Sequence, residues 1–149
     1  MTPSPFPILV VAGEPSGDWL AAQVVRSLRA REPRLSFFGI GGDHLQSEGC
    51  VCLQHNRNLA VMGLSEVLRR LPFFYRLLQQ TVAEAEKRRP IGALLVDYPG
   101  FNLRLARELA HRQIPVFFYV VPQVWAWHKS RARILARTGK QVLSLFPFE

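Results

Sequence analysis

The segment IGALLVDYPGFN, residues 91–102, decides the fold class of this 149-residue chain. Its first six residues, 91–96, lie between Pro90 and Pro99 and are apolar or small. Such a run is typical of a strand buried on both faces of a parallel sheet. The Pro-Gly pair ends the strand, and a helical pattern of apolar residues follows it. Asp97 is therefore expected at the carboxyl end of a buried strand, where open α/β sheets bind their ligands.

Asp97 has two interpretations on this segment alone. A carboxylate held at such a crevice can serve as a general base. Asp beside Pro is also a common turn former in front of a helix. The segment by itself favours neither interpretation over the other.

The rest of the chain repeats the alternation of strands and helices. Pro72 lies within the longest helical pattern and predicts a kink or break near Leu71. The repeated units predict an α/β fold with a mostly parallel sheet and helices on both faces. We expect strands at 8–12, 37–40, 51–53, 91–96, 116–120 and 141–145, and helices from the loop 13–18 to about 31, at about 43–48, 64–88, 101–112 and 129–137.

The composition excludes some classes of protein. Hydrophobic residues make up 48% and charged residues 20%, which argues against disorder. No apolar run approaches the roughly 20 residues of a membrane-spanning helix, and residues 1–7 lack the layout of a signal peptide. We therefore expect one cytosolic domain. Its net charge of +8 points to an anionic partner: nucleic acid, a membrane surface or a phosphorylated substrate.

The loop at residues 13–18, GEPSGD, joins the first strand to the first helix. Its glycines would let a ligand approach the backbone, and the helix N-terminus offers N–H groups to an anion. The spacing is neither that of a P-loop nor that of a dinucleotide fingerprint. Glu14 and Asp18 suit sugar hydroxyls, and Ser16 or Asp18 would also cap the helix. We expect this loop to be both a cap and a site.

Two further segments have open interpretations. The stretch 64–88 mixes large apolar residues with arginines, as interfacial membrane helices do. An ordinary amphipathic helix with its apolar stripe in the core has the same pattern, and this interpretation is favoured on the residues alone. Trp125 and Trp127, after the fifth strand, either stack on a sugar or fill the core. The two cysteines have no second pair at metal spacing, so no metal site is expected.

Five motifs in one order give the chain a resemblance. Together they resemble the lipid-A-disaccharide synthase family, membrane-associated glycosyltransferases of outer-membrane lipid synthesis in Gram-negative bacteria. The resemblance covers almost the whole chain and implies a GT-B architecture, in which two Rossmann-like domains face each other across a cleft. The motifs are AGEPSGD at 12–18, VMGLSEV at 61–67, DYPGFN at 97–102, PQVWAW at 122–127 and FPFE at 146–149.

The resemblance also implies a reaction. A UDP-2,3-diacylglucosamine donor would pass its sugar to 2,3-diacylglucosamine 1-phosphate, with inversion, giving a β-1,6 disaccharide without a metal or other cofactor. Asp97 would be the general base that takes the proton from the acceptor 6-hydroxyl. The residues implied to bind substrate are Glu14, Ser16, Gly17, Asp18, Met62, Gly63, Asn102, Gln123 and Trp125. Those implied to contact the membrane are Leu68, Leu71, Phe73, Phe74 and Leu77.

Family members continue into a second domain, which binds most of the UDP group. We expect residues 1–149 to form a single Rossmann-like acceptor-side domain without that C-terminal UDP-sugar-binding domain, and to be inactive alone, because leaving-group stabilisation is a large part of catalysis. The expected location is cytoplasmic and peripheral, on the inner face of the inner membrane. The expected partners are the two lipid substrates, an anionic membrane surface and a donor-binding domain in cis or trans, with no nucleic acid.

Three other hypotheses stay open at this point. The chain would be a non-catalytic lipid- or membrane-binding module derived from the enzyme, an unrelated Rossmann-like nucleotide binder, or a basic nucleic-acid-binding domain. The missing dinucleotide fingerprint argues against the nucleotide binder. The basic residues lie mostly on helices with apolar stripes and form no known nucleic-acid motif, which weakens the last hypothesis.

Overall fold

The computed structural model describes the backbone of residues 6–60, 63–119 and 139–143, and the side chains of the first two segments except that of Leu64. The strands are β1 (Phe6–Ala12), β2 (Leu35–Gly41), β3 (Val51–His55), β4 (Gly92–Val96), β5 (Val116–Tyr119) and β6 (Gly139–Leu143). The helices are α1 (Pro15–Arg31), α2 (Asp43–Ser47), α3 (Leu64–Arg88) and α4 (Pro99–His111), with a 3₁₀ turn at Asn56–Leu59.

The strands form one sheet in the order β3-β2-β1-β4-β5-β6, and every neighbouring pair is parallel. This is the strand order of doubly wound, Rossmann-type sheets. The order in which the strands are added reverses between β1 and β4. In sheets of this type the ligand-binding crevice lies at this point, at the carboxyl ends of the two strands. The predicted α/β class with a parallel sheet is confirmed.

Alternating residues of the central strands supply two separate cores. Leu9 and Val11 of β1 face a cluster completed by α3 and α4. Val10 and Ala12 face the opposite cluster, which α1 and α2 cover. Because helices cover both faces, β4 is buried along its whole length, as its apolar run predicts.

α3 differs from the expectation at Pro72. The prediction was a kink or a break near Leu71; the helix continues without a break from Leu64 to Arg88 with the proline inside it, so a break is excluded and the kink stays a prediction. Pro72 removes the N–H that would bond the carbonyl of Leu68, and both residues lie on the exposed side of the helix, where water can reach that carbonyl. The turns after Pro72 pack into the core and hold the helix in place.

The other boundaries shift by a few residues. The first strand begins two residues before the expected start, and α4 begins at Pro99 rather than at residue 101. The last strand lies at 139–143 instead of 141–145. The helix expected at 129–137 lies outside the described residues.

Candidate active site

The first loop and the turn after β4 begin side by side at the crevice. Ala12 and Val96 are register partners at the ends of β1 and β4. Glu14 follows β1 as the N-cap residue of α1, and its side chain makes no capping hydrogen bond there. Asp97 follows β4 directly. The fold therefore brings two carboxylates, 83 positions apart in the sequence, to the place where doubly wound sheets bind ligands.

The backbone of the β4–α4 turn adopts an unusual conformation. Asp97 and Tyr98 have φ angles of 48° and 53°, so two consecutive residues with side chains lie in the left-handed region. Such residues carry a steric cost and persist where the surroundings hold them. The N–H of Asp97 donates to the carbonyl of Tyr119 on β5 at 3.1 Å. The carbonyl of Asp97 accepts from Nδ2 of Asn102 at 2.6 Å.

The carboxylate of Asp97 is half-buried. Within residues 6–60 and 63–119, no group forms a hydrogen bond or ion pair with it. It lies close enough to Glu14 for its charge to matter: burial and, second, the negative charge of Asp97 raise the pKa of the Glu14 carboxyl above its usual value. The crevice thus holds one unpaired carboxylate beside a second one that keeps its proton more readily, a pair suited to binding and deprotonating hydroxyl groups.

Tyr98 packs against the first loop. A Cβ atom at Gly13 would lie 2.4 Å from the ring of Tyr98, so the absence of a side chain at Gly13 lets that ring lie against the loop. The phenol hydroxyl reaches the carbonyl of Leu59 at 3.4 Å. Burial and the charge of Glu14 raise the pKa of the phenol. The glycines of this loop were expected to let a ligand approach the backbone, but in this structure the group that lies against Gly13 is the ring of Tyr98.

Asp18 corrects two expectations. Its side chain is 2% exposed, and it accepts N–H hydrogen bonds from Gly42 at 2.8 Å, His44 at 3.0 Å and Leu45 at 3.1 Å. These groups belong to the N-terminus of α2, so Asp18 caps α2 and not the helix on which it lies. Because its oxygens bond the backbone inside the fold, Asp18 does not line the cleft as expected.

Gly17 and Ser16 occupy different environments in the first turn of α1. Gly17 is buried, and a Cβ there would lie 3.4 Å from Val96 Cγ1 and 3.7 Å from Ala12 Cβ. These are ordinary van der Waals distances, so Gly17 packs against β1 and β4 with room for a methyl group. Ser16 is exposed at the crevice edge. The expected cap by Ser16 is wrong, because α1 has no side-chain cap hydrogen bond.

Asn102 is also placed differently from the expectation. The residue is 1% exposed, and its Nδ2 donates to the carbonyls of Asp97 at 2.6 Å and Val96 at 3.4 Å. The amide is therefore engaged by the turn that carries Asp97, and burial keeps it from contacting a substrate. Gly63, at the start of α3, is exposed with a φ of 85°. Met62, Gln123 and Trp125 lie outside the described residues.

Arg70 and Tyr98 are two residues of this region that the sequence did not single out. Arg70 donates to the carbonyls of Ala60, at 2.9 Å, and Asn58. Its guanidinium also lies over the rings of Phe73 and Phe74, 4.7 and 5.5 Å from their centroids. Arg70 thereby joins α3 by hydrogen bonds to residues 58–60, next to Tyr98. An arginine next to aromatic residues was the available signal, but it fits an ordinary amphipathic helix and an interfacial membrane helix equally and does not identify these contacts.

The outer surface of α3 carries exposed apolar side chains. Leu68, Leu71 and Tyr75 are 58%, 45% and 62% exposed, and their spacing of three and four residues places them on one helix face. We call these three residues the α3 apolar stripe. Phe73 and Phe74 are half-buried against the core. Leu77 is 3% exposed, so the prediction that it contacts a membrane is wrong.

Two absences hold for the part of the chain that the structure describes. None of its helices is both long and apolar enough to cross a membrane. It also contains no group of three His, Cys, Asp or Glu side chains placed to hold a metal ion.

Comparison with solved structures supports the fold. Staphylococcus aureus MnaA, solved with UDP, superposes with a TM-score of 0.58 at 9% identity, covering 93% of this chain and 37% of that one. The UDP-GlcNAc 2-epimerase of Neisseria meningitidis, solved with UDP-GlcNAc, gives a TM-score of 0.57 at 11% identity, covering 91% and 39%. At these identities the likeness shows the fold alone, a Rossmann-like domain of the GT-B type.

Sequence comparison shows the family. The chain is 47% identical over 146 residues to the lipid-A-disaccharide synthase of Myxococcus xanthus (strain DK1622), covering 98% of this chain and 38% of that protein. It is 45% identical over 142 residues to the corresponding enzyme of Anaeromyxobacter dehalogenans (strain 2CP-C), covering 95% and 37%. The chain thus spans less than two fifths of the length of these relatives. The profile of the lipid-A-disaccharide synthetase family matches residues 8–149, and the chain belongs to this family.

Proposed function

We propose that this chain is the acceptor-side, base-carrying part of a lipid-A-disaccharide synthase-type glycosyltransferase. The reaction would transfer 2,3-diacylglucosamine from its UDP derivative to 2,3-diacylglucosamine 1-phosphate. The observation that carries the proposal is the Asp97 carboxylate. It lies at the crevice of a chain of this family, half-buried and unpaired among the described residues.

The proposed step is a single displacement. Asp97 takes the proton from the acceptor 6-hydroxyl while that oxygen attacks the anomeric carbon of the donor. The bond from the anomeric carbon to the UDP oxygen breaks, UDP leaves with the bonding electrons, and the configuration inverts. An ion pair at Asp97 would compete for the lone pair that accepts this proton, and no cation of the described residues forms one.

Glu14 would act beside the base as a binding group. Its pKa is raised by burial and by Asp97. In either protonation state it can hydrogen-bond to sugar hydroxyls, as acceptor when ionised and as donor when protonated. Ser16 lies exposed at the same rim and offers a second hydroxyl contact.

The donor's UDP group needs further binding residues. The relatives are more than twice as long as the region they share with this chain. We propose that a donor-binding domain, in cis or in trans, stabilises the UDP leaving group, and that residues 1–149 alone do not turn over substrate.

The α3 apolar stripe would place the protein on the membrane that holds its lipid substrates. The exposed cations Arg57, Arg69 and Arg76 lie on or near α3. Apolar residues in the acyl boundary and cations on anionic headgroups are the arrangement of an interfacial helix. This supports a peripheral location on the cytoplasmic face of the inner membrane. It equally supports the second candidate, a non-catalytic lipid-binding module.

A reconstitution experiment separates the two candidates. This chain would be mixed with the separately produced remainder of the M. xanthus relative, and UDP release measured with both lipid substrates. We expect activity only in the mixture, and a loss of about 10²- to 10⁴-fold for Asp97→Asn. Asp43→Asn, at an exposed carboxylate elsewhere on the same sheet edge, is the matched control. Full activity of Asp97→Asn would remove the base assignment, and vesicle binding without activity in any mixture would favour the module.

The membrane contact has its own test. Binding to vesicles with anionic lipid would be compared for the wild type, Leu68→Ser with Tyr75→Ser, and Val51→Ser with Ile91→Ser. Val51 and Ile91 are similarly exposed but lie outside α3. If Leu68 and Tyr75 insert into the lipid, replacing both by serine should weaken vesicle binding about tenfold or more. Equal binding of all three proteins would exclude the stripe as the contact surface.

A further inference from the structure

The turn at Asp97 needs something to hold it. Asp97 and Tyr98, with φ angles of 48° and 53°, are consecutive left-handed residues with side chains. A single such residue is common enough for Asp, but a consecutive pair persists only when neighbouring groups fix the backbone. The direction of the Asp97 side chain depends on this conformation, because rotation of the backbone at Asp97 also rotates its Cα–Cβ bond.

Asn102 makes the contacts that fix this backbone from the α4 side. Its Nδ2 donates to the carbonyl of Asp97 at 2.6 Å and lies 3.4 Å from the carbonyl of Val96. Its backbone N–H donates to the carbonyl of Tyr98 at 3.0 Å. One residue therefore bonds the last residue of β4 and both left-handed residues. On the β5 side, Tyr119 accepts the N–H of Asp97 at 3.1 Å.

Burial excludes the other use of the Asn102 amide. The residue is almost completely inaccessible, and its Oδ1 has no hydrogen-bond partner among the described residues. A buried acceptor without a partner costs free energy. The hydrogen bonds of Nδ2 must therefore offset the cost of the unpaired Oδ1. Direct contact with a sugar would require the first turn of α4 to open.

We propose that Asn102 is a positioning residue, whose amide locks the left-handed turn and thereby aims the Asp97 carboxylate into the crevice beside Glu14. The catalytic part of this inference rests on the proposed function. The geometric part concerns residues 97–102 alone and holds whether or not the chain takes part in sugar transfer.

A matched pair of variants separates positioning from general support of the fold. Asn102→Ala removes the amide that bonds Asp97. Asn56→Ala removes another buried asparagine with an unpaired amide atom, at a different place on the same sheet edge. Both should lower stability. Only Asn102→Ala should change the surroundings of Glu14, whose titration responds to the nearby charge of Asp97.

The first readout is NMR on this chain, which requires no enzymatic activity. In Asn102→Ala we expect the backbone shifts of Asp97 to lose their left-handed values and the pKa of Glu14 to move down toward its usual value. Asn56→Ala should leave both unchanged. A folded Asn102→Ala protein with wild-type values at both positions would overturn the proposal. If Asn102→Ala does not fold, Asn102→Ser, which keeps a shorter donor, is judged by the same two readouts.

The second readout is the reconstituted enzyme. Misplacing a reacting group by about 1 Å can cost 10²-fold, so Asn102→Ala should lower kcat by about that factor and leave the KM of the acceptor nearly unchanged. A raised KM with an unchanged kcat would instead identify Asn102 as a substrate contact and overturn the positioning role. If no mixture is active, the proposed function fails while the NMR result still decides the role of Asn102.

Discussion

Asp18 and Asp97 lie at the same edge of the sheet, each within a few residues of a strand end. Asp18 is fully buried, and three N–H groups of α2 surround its carboxylate. Asp97 is half-buried; hydrogen bonds hold its backbone, while its carboxylate has no partner among the described residues. At Asp18 the charge stabilises the N-terminus of α2. At Asp97 the fold constrains the backbone and leaves the carboxylate unpaired among the described residues.

Substituting the two aspartates should give the largest contrast in stability. Asp18→Ala leaves the buried N–H groups of Gly42 and Leu45 unpaired, together with the part-buried N–H of His44. A buried unpaired group costs about 1–3 kcal/mol, so we expect a loss of at least about 2 kcal/mol. Asp97→Asn should stay within about 0.5 kcal/mol of the wild type, because its carboxylate bonds no described group. Urea denaturation measures both. A similar loss in the free energy of unfolding for both variants would mean that the Asp97 carboxylate also stabilises the fold.

Gly13 tests how tightly the Asp97 region is packed. A methyl group there would overlap the ring of Tyr98, at 2.4 Å, so Gly13→Ala should cost about 1–3 kcal/mol. Gly100 is the control: it lies in α4 with open space around its Cα, so Gly100→Ala should stabilise by about 0.5–1 kcal/mol. Thermal or urea denaturation of the two variants checks the difference. A neutral Gly13→Ala would indicate that Tyr98 moves away from the crevice freely.

The left-handed backbone at Asp97 predicts that glycine is more stable than alanine at this position, the reverse of their order inside a helix. Glycine adopts this conformation without a Cβ penalty, so Asp97→Gly should be more stable than Asp97→Ala by about 1 kcal/mol. The same pair at position 100, inside a helix, should show the opposite order. Urea denaturation of the four proteins measures both differences. Greater stability of Asp97→Ala would show that Asp97 is not held left-handed in solution.

Local patterns explain which features of the sequence could be predicted. The run at residues 91–96 is apolar throughout and bounded by prolines, so its burial and its end before Asp97 follow from neighbouring residues alone. Asp18 could not be assigned in this way. Its partners on α2 are 24 to 27 residues away in the sequence, and the cap forms only when the sheet brings the two helices together.

The surfaces of α3 show a second limit. Apolar residues on this helix cover more than one face, and the sequence does not say which face the sheet and α4 will cover. Leu77 is covered, Phe73 and Phe74 are covered in part, and the α3 apolar stripe is not. Tyr75 was missed for the same reason, since its exposure depends on packing at other positions and not on its neighbours in the sequence.

Substitution of Glu14 should change stability least of the positions considered. It bears directly on the comparison of Asp18 with Asp97, because the pKa of the Glu14 carboxyl responds to the charge of Asp97. Partial burial and, second, Asp97 raise its pKa above the usual 4.5. Between 4.5 and the raised value the folded chain binds more protons than the unfolded chain, so this group lowers stability as the pH rises through that interval. Glu14→Gln should therefore be slightly more stable than the wild type at neutral pH, and the difference should vanish below pH 4.5. Urea denaturation at the two pH values measures it.

The Asp97→Asn variant then divides the two causes. Removing the charge of Asp97 while keeping the burial should lower the pKa of Glu14 without restoring its usual value, which NMR titration of Glu14 can follow. The effect stays small because Glu14 is largely exposed and water screens the pair. Asp18→Asn, whose charge lies inside the fold at the N-terminus of α2, should leave the titration of Glu14 unchanged. An equal shift in both variants would mean that Glu14 senses the net charge of the domain and not the neighbouring carboxylate of Asp97.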